Sequence, residues 1–120
     1  MLRTLIFIFA LLFIFSISTA YAQYQCTEGD CENGTGKKVV TDSTAYMEGQ
    51  FTDGVLTQGK VVFPNGDVFE GRFEGQQLVQ GSKKFKAGGS LEGKFKSGVL
   101  HEGKITYRDG SSRWIKLKMQ

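Results

Sequence analysis

The chain is 120 residues long with a formal net charge of +3, two cysteines, one histidine and sixteen glycines. That length bounds it to one small domain, and the slight basic excess does not by itself call for a polyanion partner. Glycine-rich, polar sequence with few long apolar runs excludes a deep globular core.

Met1-Leu2-Arg3 opens the chain, followed by the apolar run Leu5 to Phe15 and then Ala20-Tyr21-Ala22 ahead of Gln23. A basic start, a short apolar stretch and an A-x-A site describe a secretory signal peptide over residues 1–22, cleaved after Ala22. The strongly apolar part covers only about 16 Å as a helix, against the ~30 Å of a bilayer core. An N-terminal membrane anchor is the alternative, because extension to Ala22 approaches the spanning length. Cys26 follows Gln23-Tyr24-Gln25 and not the small residues that precede a lipid-modified cysteine. The expectation is an exported protein, secreted or periplasmic. Removal of residues 1–22 takes Arg3 with it and leaves 98 residues with a net charge of +2.

Residues 23–45 hold both cysteines, Cys26 and Cys31. An even, closely spaced pair in an oxidising compartment is expected to form a disulfide, closing a short loop worth roughly 2 kcal/mol in the chain-entropy model. A metal site would need more thiol or imidazole ligands nearby, and a redox-active pair is more often spaced Cys-x-x-Cys. Gly36-Lys37-Lys38-Val39-Val40 resembles Gly59-Lys60-Val61-Val62, so 23–45 reads as a degenerate half-repeat that caps the array.

From residue 46 the chain says nearly the same thing three times, in units 46–67, 68–89 and 90–111. Gly49, Gly71 and Gly93 share one column, as do Phe51, Phe73 and Phe95, and Leu56, Leu78 and Leu100. Gly59, Gly81 and Gly103 form another, then Phe63, Phe85 and Tyr107, then Gly66, Gly88 and Gly110. A fixed period of this size marks a repeat architecture. Met47, Gly49 and Phe51 alternate with Glu48 and Gln50, which is strand periodicity. Asp53-Gly54 and Ser97-Gly98 suit tight type I′ hairpin turns; in the second unit Glu74-Gly75 stands one residue earlier. The glycines at 59, 81 and 103 suggest a bulge or bend. Those at 49, 71 and 93 would leave room for a neighbouring ring to lie flat over the backbone. Aromatic columns are then expected to stack from hairpin to hairpin. No segment beyond the signal shows helical periodicity. The predicted fold is therefore all-β: an elongated, twisted antiparallel meander of stacked hairpins after an N-terminal signal helix.

Glu48, Glu70 and Glu92 fall on the other face, beside Gln50, Arg72 and Lys94, and read as a solvated mixed-charge surface. Residues 112–120 start a fourth unit in which Ile115 replaces the glycine and Leu117 the phenylalanine, so they read as a closing strand whose Lys116 and Lys118 discourage edge pairing. His101 is expected to be solvated, and nothing around Leu100-His101-Glu102-Gly103 resembles a nucleophile elbow. Asp30, Asp42, Asp53, Asp67 and Asp109 sit where turns call for aspartate. No glycine pattern follows a strand and opens a helix, as a phosphate loop would. No enzyme activity, cofactor or metal is expected.

The unit Phe69-Glu70-Gly71-Arg72-Phe73, with its later glycines and second aromatic before a glycine turn, resembles the MORN (membrane occupation and recognition nexus) repeat. Met47–Gly66, Phe69–Gly88 and Leu91–Gly110 all fit it, although each return strand keeps one glycine where the family has Gly-x-Gly. The resemblance implies stacked hairpins with an aromatic-lined groove, a binding or assembly role, and protein or phospholipid partners. Groove candidates are Phe51, Phe63, Phe69, Phe73, Phe85, Phe95 and Tyr107, holding a protein partner. The alternative is an anionic membrane surface met by Lys83, Lys84, Lys86, Lys94 and Lys96, each lysine contributing about 1 kcal/mol. Interspersed Glu92 and Glu102 dilute that patch, so a protein partner is preferred. Export and the small net charge oppose nucleic acid.

Overall fold

The computed structural model describes residues 23–118, which form one open antiparallel sheet of nine strands in sequence order. The strands are β1 (Tyr24–Gly29), β2 (Gly34–Val40), β3 (Tyr46–Thr52), β4 (Val55–Val62), β5 (Val68–Glu74), β6 (Gln77–Lys84), β7 (Ser90–Lys96), β8 (Val99–Thr106) and β9 (Ser112–Lys116). Each strand touches only its neighbours in sequence, as expected of an elongated repeat sheet. The signal helix and its cleavage site fall outside the described residues.

The hairpin tips are type I′ turns at Asp53-Gly54, Gly75-Gln76 and Ser97-Gly98, all with both central residues at positive φ. The second tip is thus in step with the others and not one residue early. Its glycine occupies the first central position, which forces Gln76 to φ 66°. The connections between hairpins repeat as well. Gly66 N donates to Phe63 O (3.0 Å), Gly88 N to Phe85 O (2.9 Å) and Gly110 N to Tyr107 O (3.0 Å).

Register brings the strand glycines into one line across the sheet. Gly29 pairs with Gly36, Gly36 with Gly49, and the line continues through Gly59, Gly71, Gly81, Gly93 and Gly103 to Ile115. From Gly49 to Gly103 these residues have φ of 142–153°, a region that L side chains avoid. Within each hairpin they oppose one another so closely that a Cβ on either would overlap the facing backbone carbonyl. It would also come within 2.6–2.8 Å of the partner glycine's Cα. Backbone meets backbone here; the space is not held for a ring. The bulge stands two residues before the return-strand glycine. Gln50 pairs with Gln58 but Phe51 with Leu56, leaving Thr57 as the extra residue; Val79 and His101 repeat this. The bulge allows Leu56 and Gly59, an odd number of residues apart, to serve the same face.

On that face a narrow core runs along the hairpin tips: Phe51, Leu56, Phe73, Leu78, Phe95 and Leu100. Phenylalanine alternates with leucine, so the buried rings do not stack on each other; the one ring pair among the described residues is Phe63 with Phe69, edge to face at 4.7 Å. At the N-terminal end Phe51 faces Gly34, which has no side chain to cover it. Cys31, held by its disulfide to Cys26, joins the core there. The opposite face carries a charge row: Glu28, Lys37, Glu48, Lys60, Glu70, Ser82, Glu92 and Lys104 follow one another in register. Glu48 meets Lys60 at 3.1 Å and Glu92 meets Lys104 at 3.6 Å. His101 is half-buried, not solvated, and its Nδ1 lacks a hydrogen-bond partner.

Three substitutions test this backbone. Gly81→Ala would drive a methyl group into Glu70 O and Gly71 Cα, and should cost at least about 3 kcal/mol in urea unfolding. Gly110→Ala, where φ is 88° but no atom lies within 4 Å, should cost only about 1–2 kcal/mol; equal losses would refute the close-approach explanation. Gln76→Gly removes the left-handed strain at the middle tip and should stabilise by about 0.5–1 kcal/mol, seen as a raised urea midpoint at unchanged m-value.

Candidate functional site

Beside the glycine line, and on the core face, runs a second row. Cys26, Lys38, Met47, Val61, Phe69, Lys83, Leu91, Ile105 and Arg113 are neighbours in register from β1 to β9. The sheet is bent at the glycines, so long side chains of this row reach the hairpin tips across the bend. Lys38 Nζ donates to Gly54 O at 2.7 Å and passes over the Phe51 ring, 5.1 Å from its centroid. Lys83 Nζ donates to Gly98 O at 3.2 Å and sits 4.7 Å from the Phe69 centroid and 5.0 Å from that of Phe95. Each ammonium thus gains a carbonyl acceptor and an aromatic face while its stem covers apolar surface.

Between these two lysines the equivalent position is Val61, too short to reach the Gly75-Gln76 tip. A groove of about 490 Å³ opens there. Met47, Val61, Phe63, Phe69, Phe73 and Leu78 supply its apolar lining. Gln76 and Tyr24 are exposed where they line it, and Lys38 on β2 and Lys83 on β6 flank it. The arrangement is suited to burying an apolar segment, with an amide and two ammonium groups beside it.

Of the aromatic candidates, Phe63, Phe69 and Phe73 come together in this groove. Phe51 and Phe95 are buried under Lys38 and Lys83 just beyond it. Phe85 and Tyr107 head the later base loops, half-exposed and outside the lining. The lysine candidates do not share a face. Lys83 is turned into the groove, whereas strand alternation places Lys84, Lys94 and Lys96 on the other side. Lys86 lies across the Gly66 turn, its backbone N–H donating to Asp67 Oδ1 at 3.0 Å. Sequence reasoning passed over Lys38, Val61 and Gln76. The signal was present in the column Val61, Lys83, Ile105, whose alternation of short and long residues marks where the groove is open and where it is covered.

No protein-family model matches the chain, and no curated protein matches its sequence.

Burial of Lys83 against two rings pushes its pKa below the ordinary lysine value of 10.5. The charged form is then less favoured in the folded chain than in the unfolded one. Between the folded and unfolded pKa values the unfolded chain binds more protons, so this group's contribution to stability rises with pH across that window. NMR titration of the Lys83 side chain should give a midpoint under 10.5; a midpoint at or above it would contradict the buried placement.

Proposed function

We propose that this chain is an exported, non-catalytic docking module that holds a partner protein in the aromatic-lined groove over its middle hairpin. The observation that carries the reading is the break in the lysine row at Val61. Where a lysine is present the core face is covered; where valine replaces it, Phe63, Phe69 and Phe73 are left beside an open apolar channel. The three-unit resemblance to the MORN repeat supports a binding role, and the start of the sequence together with the Cys26–Cys31 disulfide supports an oxidising, exported setting.

Val61→Lys tests the groove with a side chain that the fold already accommodates at two equivalent positions. The variant should fold, place its ammonium near the Gln76 carbonyl, and close the channel. Partner capture from the exported fraction should then fall at least tenfold against wild type, while Trp114→Ala, at the far end of the opposite face, should leave capture unchanged. Equal capture by wild type and folded Val61→Lys would remove the groove as the docking site.

A further inference from the structure

The groove has charge at its ends as well as an apolar lining, and this narrows what it can hold. Lys38 is on β2 and Lys83 on β6, four strand spacings apart, or roughly 19 Å at about 4.8 Å each. Each ammonium spends one of its three donors on a turn carbonyl, and the others remain available to an anionic group at each end of the channel. Among the described residues no carboxylate lies within ion-pair distance of either lysine. Gln76, at the hairpin tip between them, stands exposed where it lines the channel, and its side chain carries an amide N–H and C=O.

We infer that the occupant is an extended peptide segment about seven residues long, apolar in its centre and carrying a carboxylate side chain at each end. The inference rests on the groove reading above and deepens it. Three features select this ligand chemistry. Two separated ammonium groups match two carboxylates, whereas a fatty acid carries one. An extended chain advances about 3.4 Å per residue, so the end residues of a seven-residue segment, six steps apart and on the same side of the strand, span roughly the distance between the lysines. The Gln76 amide can pair with a peptide N–H or C=O group, which an acyl chain lacks. The strands under the groove already pair on both sides, so the segment is held by side chains on the sheet face and not by adding a strand to it.

The test uses the purified protein and three seven-residue probes with blocked termini and one shared apolar centre, ending in glutamate, glutamine or lysine at both positions. Sodium laurate serves as a fourth probe. Calorimetric titration should show the glutamate-ended peptide binding at least tenfold more tightly than the glutamine-ended one, with the lysine-ended one weakest. Lys38→Met and Lys83→Met should each lose three- to tenfold for the glutamate-ended peptide and nothing for the glutamine-ended one. Both variants should fold, since Val61 and Ile105 show that the row accepts an apolar residue. The preference should also shrink as salt rises. Equal affinity for the glutamate- and glutamine-ended peptides, or no effect of either methionine variant, overturns the two-carboxylate ligand. So does no binding of any peptide at millimolar concentration, or laurate binding more tightly than the peptides. In all these cases the groove reading still stands or falls by Val61→Lys in partner capture. Undiminished binding of the glutamate-ended peptide to folded Val61→Lys would instead overturn the groove as its site.

Discussion

Within each hairpin two glycines meet Cα to Cα across the strands, and the rest of the sheet is arranged around that contact. A Cβ on either residue would collide with a carbonyl oxygen of the opposite strand, which belongs to the ladder itself and cannot step aside. The backbone therefore adopts a φ that only glycine holds easily, and the sheet bends along the line where these residues succeed one another. A single-layered sheet normally has one face with nothing to bury against. The bend supplies a partner from the same sheet: the row from Lys38 to Ile105 leans toward the row of tip residues Phe51 to Leu100. That is how a ribbon without a second layer buries six large side chains.

Everything that distinguishes the groove follows from what stands next to that line. Lysine is long enough to cross the bend and reach a tip carbonyl, and its stem seals the ring below it. Valine crosses nothing. The alternation Lys38, Val61, Lys83, Ile105 therefore gives three nearly identical hairpins an open channel over the middle one, bracketed by two cations. Repetition builds the scaffold, and a departure from repetition makes the groove. At the two ends the line is closed differently. Cys31, pinned by the disulfide, fills the space over Phe51 that Gly34 leaves empty, and Ile115 places a side chain opposite Gly103 where a further glycine would have continued the row.

Much of the fold was legible in the residues alone. The 22-residue columns, the strand alternation around Gly49 and the Asp-Gly and Ser-Gly turns together specify antiparallel hairpins, and the close cysteine spacing marks the disulfide. The second tip was misplaced because Glu74-Gly75 looks like a shifted Asp-Gly turn; register, fixed by Phe73 opposite Leu78, puts a glutamine in the left-handed position instead. The glycines' purpose was also hidden. Their spacing shows that small residues are needed, but only the pairing reveals that both hairpin columns form one line, since the bulges at Thr57, Val79 and His101 shift the count by one. The groove was half legible. Its aromatic content could be read from the repeat, whereas the role of Lys83 as a lid on two rings, and not as part of a basic patch, depends on which face its strand presents.

The most direct test of the bent glycine line is a nuclear Overhauser spectrum of the uniformly labelled protein. Strong Hα–Hα cross-peaks should connect Gly49 with Gly59, Gly71 with Gly81, and Gly93 with Gly103. The side-chain methylenes of Lys83 should show contacts to the rings of both Phe69 and Phe95, two strands apart on opposite sides of the bend. Glycine cross-peaks without any contact from Lys83 to Phe95 would describe a flat ladder, and neither the narrow core nor the groove between Lys38 and Lys83 could then exist in the form described.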